Sequence, residues 1–154
     1  RKQSVKQVCV FCGSNFGARA AYKKAAQAMG AAIAQRGWGL VYGGGNVGLM
    51  GVVADATLST GGKVTGVMPE MLAAKELAHQ GLTQLHIVSS MHERKALMAS
   101  LSDAFIALPG GYGTFEEFCE ILTWTQLGLH QKPSGLLNIE GYYNPLIQLF
   151  DGAT

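Results

Sequence analysis

Charge is scarce in this 154-residue chain: 14% of residues are Asp, Glu, Lys or Arg, and 12 basic against 10 acidic side chains leave a net charge of +2. So balanced a composition carries no electrostatic footprint for a polyanion. Lys2, Lys6, Lys23, Lys24 and Arg36 are scattered as a solvated face has them, with no basic run interleaved with aromatics. Nucleic acid is therefore not an expected partner. Long apolar runs are missing too. No stretch approaches the roughly 18 to 20 residues that span a bilayer, and the first residues lack the apolar core of a signal peptide. The expectation is a soluble, cytoplasmic protein with no membrane contact. Cysteine is rare and odd in number, three in all, so no disulfide framework is expected. Cys9-x-x-Cys12 has a redox or metal spacing, but both residues fall in a predicted strand, where positions three apart face opposite sides. They read as buried, inert thiols. No second Cys/His pair stands at ligand spacing, so no metal site is expected.

What the chain does have is 48% hydrophobic residues, enough for one domain, 1–154, with a sizeable core. The apolar, β-branched run 5–12 ends in Gly13-Ser14-Asn15 and reads as a buried strand followed by a turn. Helical spacing over 20–36, closed by Gly37, follows. Further strands are expected at 38–42, 63–68, 83–88, 103–108 and 134–138, with helices at 47–59, 89–101 and 114–127. The segment 70–82 is weakly patterned, a short helix with loop. Near the end Asn144-Pro145 begins another apolar helix, and a stop at Thr154 looks abrupt, so the C-terminal end is expected to be incomplete.

Alternating strands and helices imply a parallel sheet with helices on both faces, a doubly wound, Rossmann-like α/β fold. In such sheets ligands bind beyond the carboxyl ends of the strands, where the strand order reverses. That edge would carry Gly13-Ser14, the glycines of 43–48, the segment 90–95 and the turn 110–114. An order 3-2-1-4-5-6 would make these four loops neighbours around one crevice.

The most informative stretch is Leu108-Pro109-Gly110-Gly111-Tyr112-Gly113-Thr114-Phe115-Glu116-Glu117. A strand runs into three glycines and then a helix opening, the construction of a phosphate cradle. Thr114 would be the N-cap. Thr114-x-x-Glu117 also reads as a capping box, which gives Glu117 a structural reading beside a catalytic one. Gly43-x-Gly45-x-x-Gly48 formally matches the dinucleotide fingerprint, with Glu70 near the place of a ribose-binding acid. An NAD(P)-binding domain is thus an alternative. It is weakened because the fingerprint follows the second strand, Pro69 disturbs the acid, and no substrate domain is expected. Pyridoxal phosphate would need a Schiff-base lysine, and Lys95 is the candidate, without the setting such a lysine needs. His92 could be a general base, but a single histidine at a helix start is more often a cap or a donor to a neighbouring group; Ser14, without a His/Asp pair, reads as a phosphate or ribose contact rather than a nucleophile. What remains is an anion-binding crevice with Arg94 and Glu117, each placed on the first turn of its helix. That pair suits cleavage of a nucleoside monophosphate, whose ribose becomes oxocarbenium-like as its N-glycosidic bond breaks. Arg94 would hold the phosphate or assist departure of the base.

Pro109-Gly110-Gly111-x-Gly113-Thr114-x-x-Glu117, the glycines of 43–51 and Met91-His92-Glu93-Arg94-Lys95 together resemble the "lonely guy" (LOG) family of cytokinin-activating phosphoribohydrolases, many of which carry the label "lysine decarboxylase". The resemblance covers residues 8–149 and includes Thr123-Trp124, Gln126-Leu127-Gly128 and Lys132-Pro133. It implies hydrolysis of AMP or N6-substituted adenosine monophosphates to free base and ribose 5-phosphate, with no cofactor or metal. It implies catalytic roles for Arg94 and Glu117. Substrate binding is implied at Ser14, Gly44, Gly45, Met91, Lys95, Gly110, Gly111, Gly113 and Thr114. A homodimer built by helix packing near the site is implied as well, for which the apolar Phe118, Ile121, Leu122 and Trp124 are available. Phe115, where leucine is usual, and Thr125 depart mildly from the family pattern. The sequence assigns Glu116 no role. A catalytically silent nucleotide-binding module is the rival reading on the same fold.

Overall fold

Period-two alternation decides the layering of the molecule. In the first strand, β1 (Gln7–Phe11), Val8 and Val10 turn to one face of the sheet and Cys9 and Phe11 to the other, and all four are buried. A strand covered on both faces has to be apolar throughout, as this one is. The computed structural model describes residues 6–13, 20–75 and 78–153.

After β1 come α1 (Ala20–Gln35), β2 (Gly39–Tyr42), α2 (Gly48–Ser59), β3 (Lys63–Pro69), the single turn α3 (Glu70–Ala73) and β4 (Gln84–Val88). The chain continues through α4 (Met91–Leu101), β5 (Ala104–Ala107), α5 (Tyr112–Gln126), β6 (Ser134–Leu136), a 3-10 turn at Ile139–Gly141 and α6 (Asn144–Ala153). All strand pairings are parallel, in the order β4-β3-β2-β1-β5-β6. Ala26 and Ile33 of α1 pack with Leu49, Val53 and Ala54 of α2 on one face. Met98 of α4, Phe118 and Ile121 of α5, and Ile147 and Phe150 of α6 cover the other. The doubly wound α/β architecture is the one expected.

The strand order differs from expectation in one respect. The fourth strand lies outside β3 at the edge and not beside β1; β5 takes that place. Three successive crossovers move outward from β1, and the chain then returns over α4 to the far side of β1. Periodicity identifies strands but does not say when that return happens. The reversal falls between β1 and β5, where Leu108 donates its N–H to the Phe11 carbonyl at 2.8 Å and Gly13 donates to the Pro109 carbonyl at 3.4 Å.

Two side-chain expectations resolve differently. Cys9 and Cys12 are both buried, on opposite faces, and burial pushes both thiols up from their usual pKa. They are the inert thiols expected. Phe118 and Ile121, by contrast, are 4% and 3% exposed because they face their own sheet, so neither is free to meet a second subunit. No helix among the described residues is long and apolar enough to cross a membrane.

Candidate active site

The site is assembled from two helix starts. At α4, Ser90 caps the helix by accepting the Glu93 N–H at 3.1 Å, and the Glu93 carboxylate reaches back to accept the Ser89 N–H at 3.1 Å. This reciprocal arrangement holds the first turn, from which Arg94 projects under the sheet edge. Arg94 is only 6% exposed. Its Nε donates to the Val67 carbonyl at 2.9 Å and its Nη2 to the Gly43 carbonyl at 2.6 Å. A buried cation needs such partners, and here the end of β3 and the turn after β2 supply them. Gly43 is glycine because of this approach: a Cβ there would stand 2.3 Å from Arg94 Nη2.

The second start corrects the capping assignment. α5 begins at Tyr112 with Gly111 at the N-cap position and no side-chain cap, and Phe115 closes the first turn by donating to the Gly111 carbonyl at 3.1 Å. Thr114 is therefore the third helical residue. It is buried against Gly110, where a Cβ would lie 2.1 Å from Thr114 Oγ1. The N-cap falls three residues earlier than the Thr signal suggests because the flanking glycine accepts the first-turn geometry. Glu117 thereby falls on the second turn, too deep to cap anything. Its carboxyl lines a cavity in which burial pushes its pKa up to about 7; Arg94 opposes that rise and Glu116 adds to it.

The cavity, of about 510 Å³, opens beyond the carboxyl ends of β1, β2 and β5. Arg94, Glu117, Gly110, Gly111, Gly113 and Thr114 all line it. Ser14 lies outside the described residues, although Gly13 before it is at the cavity wall. Gly44 and Gly45 sit behind the wall instead. Gly44 takes a left-handed backbone, φ +85°, and its carbonyl accepts the His79 N–H at 3.0 Å; the Gly45 carbonyl accepts the Tyr42 hydroxyl at 2.7 Å. Met91 stands beside Arg94, its Sδ 3.8 Å from Nη1. Lys95 turns to α5, where its Nζ lies 2.5 Å from Glu116 and 2.6 Å from Glu120. This pairing gives Glu116 the role its sequence position does not show. No lysine is among the described residues of the cavity wall. Two wall residues carry no sequence signal for it: Tyr22, which falls on the helical spacing of α1, and Tyr142, just before the helix that Asn144-Pro145 begins.

The family model described as "Possible lysine decarboxylase" matches residues 50–154. A cytokinin riboside 5'-monophosphate phosphoribohydrolase of Rhodococcoides fascians is 57% identical over 149 residues, covering 96% of this chain and 75% of the relative. This chain belongs to the LOG family. An Arabidopsis thaliana LOG protein, also a cytokinin riboside 5'-monophosphate phosphoribohydrolase, is 51% identical over 148 residues, covering 96% of this chain and 70% of its own. Against other LOG relatives the chain spans less than two thirds of their length, 60% to 65%. Among solved structures, the molybdenum cofactor binding protein from the phototrophic bacterium Rippkaea orientalis has a TM-score of 0.75 at 24% identity. That match covers 98% of this chain and 87% of that one, and is a likeness of fold. Of the residues that carry the resemblance, Arg94, Gly110, Gly111, Gly113, Thr114 and Glu117 line this single cavity, whereas Gly44, Gly45, Met91 and Lys95 do not.

Proposed function

We propose that this LOG-family chain hydrolyses the N-glycosidic bond of a nucleoside 5'-monophosphate, AMP or an N6-substituted adenosine monophosphate, releasing free base and ribose 5-phosphate. The observation that carries the reading is the convergence of Arg94, Glu117 and the glycine turn on one cavity. A Cβ at Gly111 or Gly113 would meet nothing within 4 Å among the described residues. The first-turn amides of α5 have no acceptor within the helix, and together with its positive end they suit a phosphate.

With the phosphate anchored, its binding energy orients the ribose over Glu117. As the C1'–N bond lengthens, its electron pair leaves with the base, whose nitrogen takes up a proton. Positive charge then develops on the ribose ring. The Glu117 carboxylate, drawn out of water, stabilises that charge, and water adds to C1' and loses a proton. Arg94 supplies the fixed positive charge that keeps Glu117 ionisable and attracts the anionic substrate. The names of its relatives support the cytokinin monophosphates as the substrate class. A homodimer belongs to the same reading, and light scattering on the purified protein would report it.

Incubating the protein with AMP and with isopentenyladenosine monophosphate, then chromatographing the products, tests the proposal. Free base and ribose 5-phosphate in equal amounts are expected. A protein that binds both nucleotides and releases base from neither is a silent nucleotide-binding module instead.

A further inference from the structure

The segment after β6 holds the cradle from behind. Asn138 Oδ1 accepts the Tyr143 N–H at 2.7 Å, and Asn138 Nδ2 donates to Asn144 Oδ1 at 2.8 Å. Between them the chain makes its 3-10 turn with two successive left-handed residues, Glu140 at φ +52° and Gly141 at φ +73°. Glu140 is the one non-glycine residue with positive φ among those described, a conformation L-residues disfavour. The turn presents two adjacent phenols to the end of β5. Tyr143 donates its hydroxyl to the Leu108 carbonyl at 2.5 Å, and Tyr142 donates to the Gly110 carbonyl. The two bonds bracket Pro109.

Their positions differ in a way that separates their roles. Tyr143 is 1% exposed, inside the core; Tyr142 is 36% exposed, at the cavity wall, edge-on to Tyr22 with ring centres 5.7 Å apart. In a trans peptide the carbonyl and the following N–H point in opposite directions. Tying the Gly110 carbonyl to Tyr142 therefore turns the Gly111 N–H to the opposite side of that peptide. Two consecutive glycines offer little torsional resistance of their own. We propose that Tyr142 is a positioning residue that fixes the Gly110–Gly111 peptide for anion binding, with Tyr143 as its buried anchor. The inference rests on the reading that the 110–114 turn takes the substrate phosphate.

Tyr142→Phe keeps the ring and its contact with Tyr22 and removes only the hydroxyl. Calorimetric titration with ribose 5-phosphate, alongside steady-state kinetics on AMP, reads the consequence. The variant should show Kd and KM raised about three- to tenfold, a smaller change in kcat, and a Tm within about 2 °C of the unmodified protein. Tyr143→Phe should instead lower Tm. A Tyr142→Phe protein with unchanged Kd and KM overturns the inference alone. So does one whose Tm falls while its Kd does not change. An unmodified protein that fails to bind ribose 5-phosphate overturns the phosphate reading and the inference with it.

Discussion

The two glycine-rich turns that follow β2 and β5 read alike in sequence, and the structure gives them opposite uses of glycine. In the turn after β2, Gly43 leaves room for the Arg94 guanidinium, 2.3 Å from where a Cβ would be, and Gly44 takes a left-handed backbone. These demands come from the protein itself. In the turn after β5, Gly110 is constrained by Thr114, but Gly111 and Gly113 have negative φ-region backbone and open space where a side chain would go. Among the described residues, nothing would meet a side chain at either position. On the function proposed above, the open space at Gly111 and Gly113 is where the substrate phosphate would approach. The first turn is scaffold for the Arg94 cation; the second, on the proposed function, is a surface for the substrate's anion.

Substitutions at the two turns should have opposite consequences. The largest effect is expected at the scaffold. Gly43→Ala should displace Arg94 and lower kcat/KM about 100-fold, with a stability loss of about 1–3 kcal/mol visible in a denaturant melt. An alanine variant with normal activity would mean that the guanidinium is not held where the geometry places it. Gly111→Ala and Gly113→Ala should behave the other way. Their melting curves should match the unmodified protein, while KM for AMP rises about tenfold, the scale of one impaired charge-assisted contact. Were they to unfold as early as Gly43→Ala, the two turns would not differ in kind.

A smaller effect separates the two helix starts through pH. Glu117 has its folded pKa raised from an ordinary 4.5 to about 7 by burial. The folded state thus holds a proton that the unfolded chain has already lost between those values, so stability falls as pH rises through that window. Activity that needs the carboxylate rises across the same window. In the free enzyme kcat/KM should increase with pH up to about 7 and then level off. Glu117→Gln, neutral at every pH, should lack that limb. It should also melt later than the unmodified protein at pH 8, by an amount on the order of 1 kcal/mol or more, and the gap should close toward pH 4.5. An equal gap at both pH values would show that burial does not strain this carboxyl.

Much of this was legible in the residues. The strands and helices follow from apolar runs and helical spacing, and Arg94 and Glu117 reach one cavity as their motifs imply. The parts that were not legible depend on distant contacts. Which side of β1 receives the fourth strand is decided by the crossovers, not by any local pattern. Thr114 carries the residue type of a cap, yet Gly111 opens the helix first. A capping pair does exist, at Ser90 and Glu93, where it sets Arg94. Lys95, Glu116 and Glu120 find each other across 21 and 25 residues of chain, and Tyr142 reaches Gly110 across 32. No spacing rule exposes such pairs.

The central claim is that a buried carboxylate facing a glycine cradle breaks the glycosidic bond. Its most direct test is the rate of base release from AMP at pH 8, with enzyme in excess, for the unmodified protein and for Glu117→Gln. A rate at least about 100-fold lower in the variant, with folding intact and Tm equal or higher, is the predicted result. Base release by Glu117→Gln at the unmodified rate would contradict it.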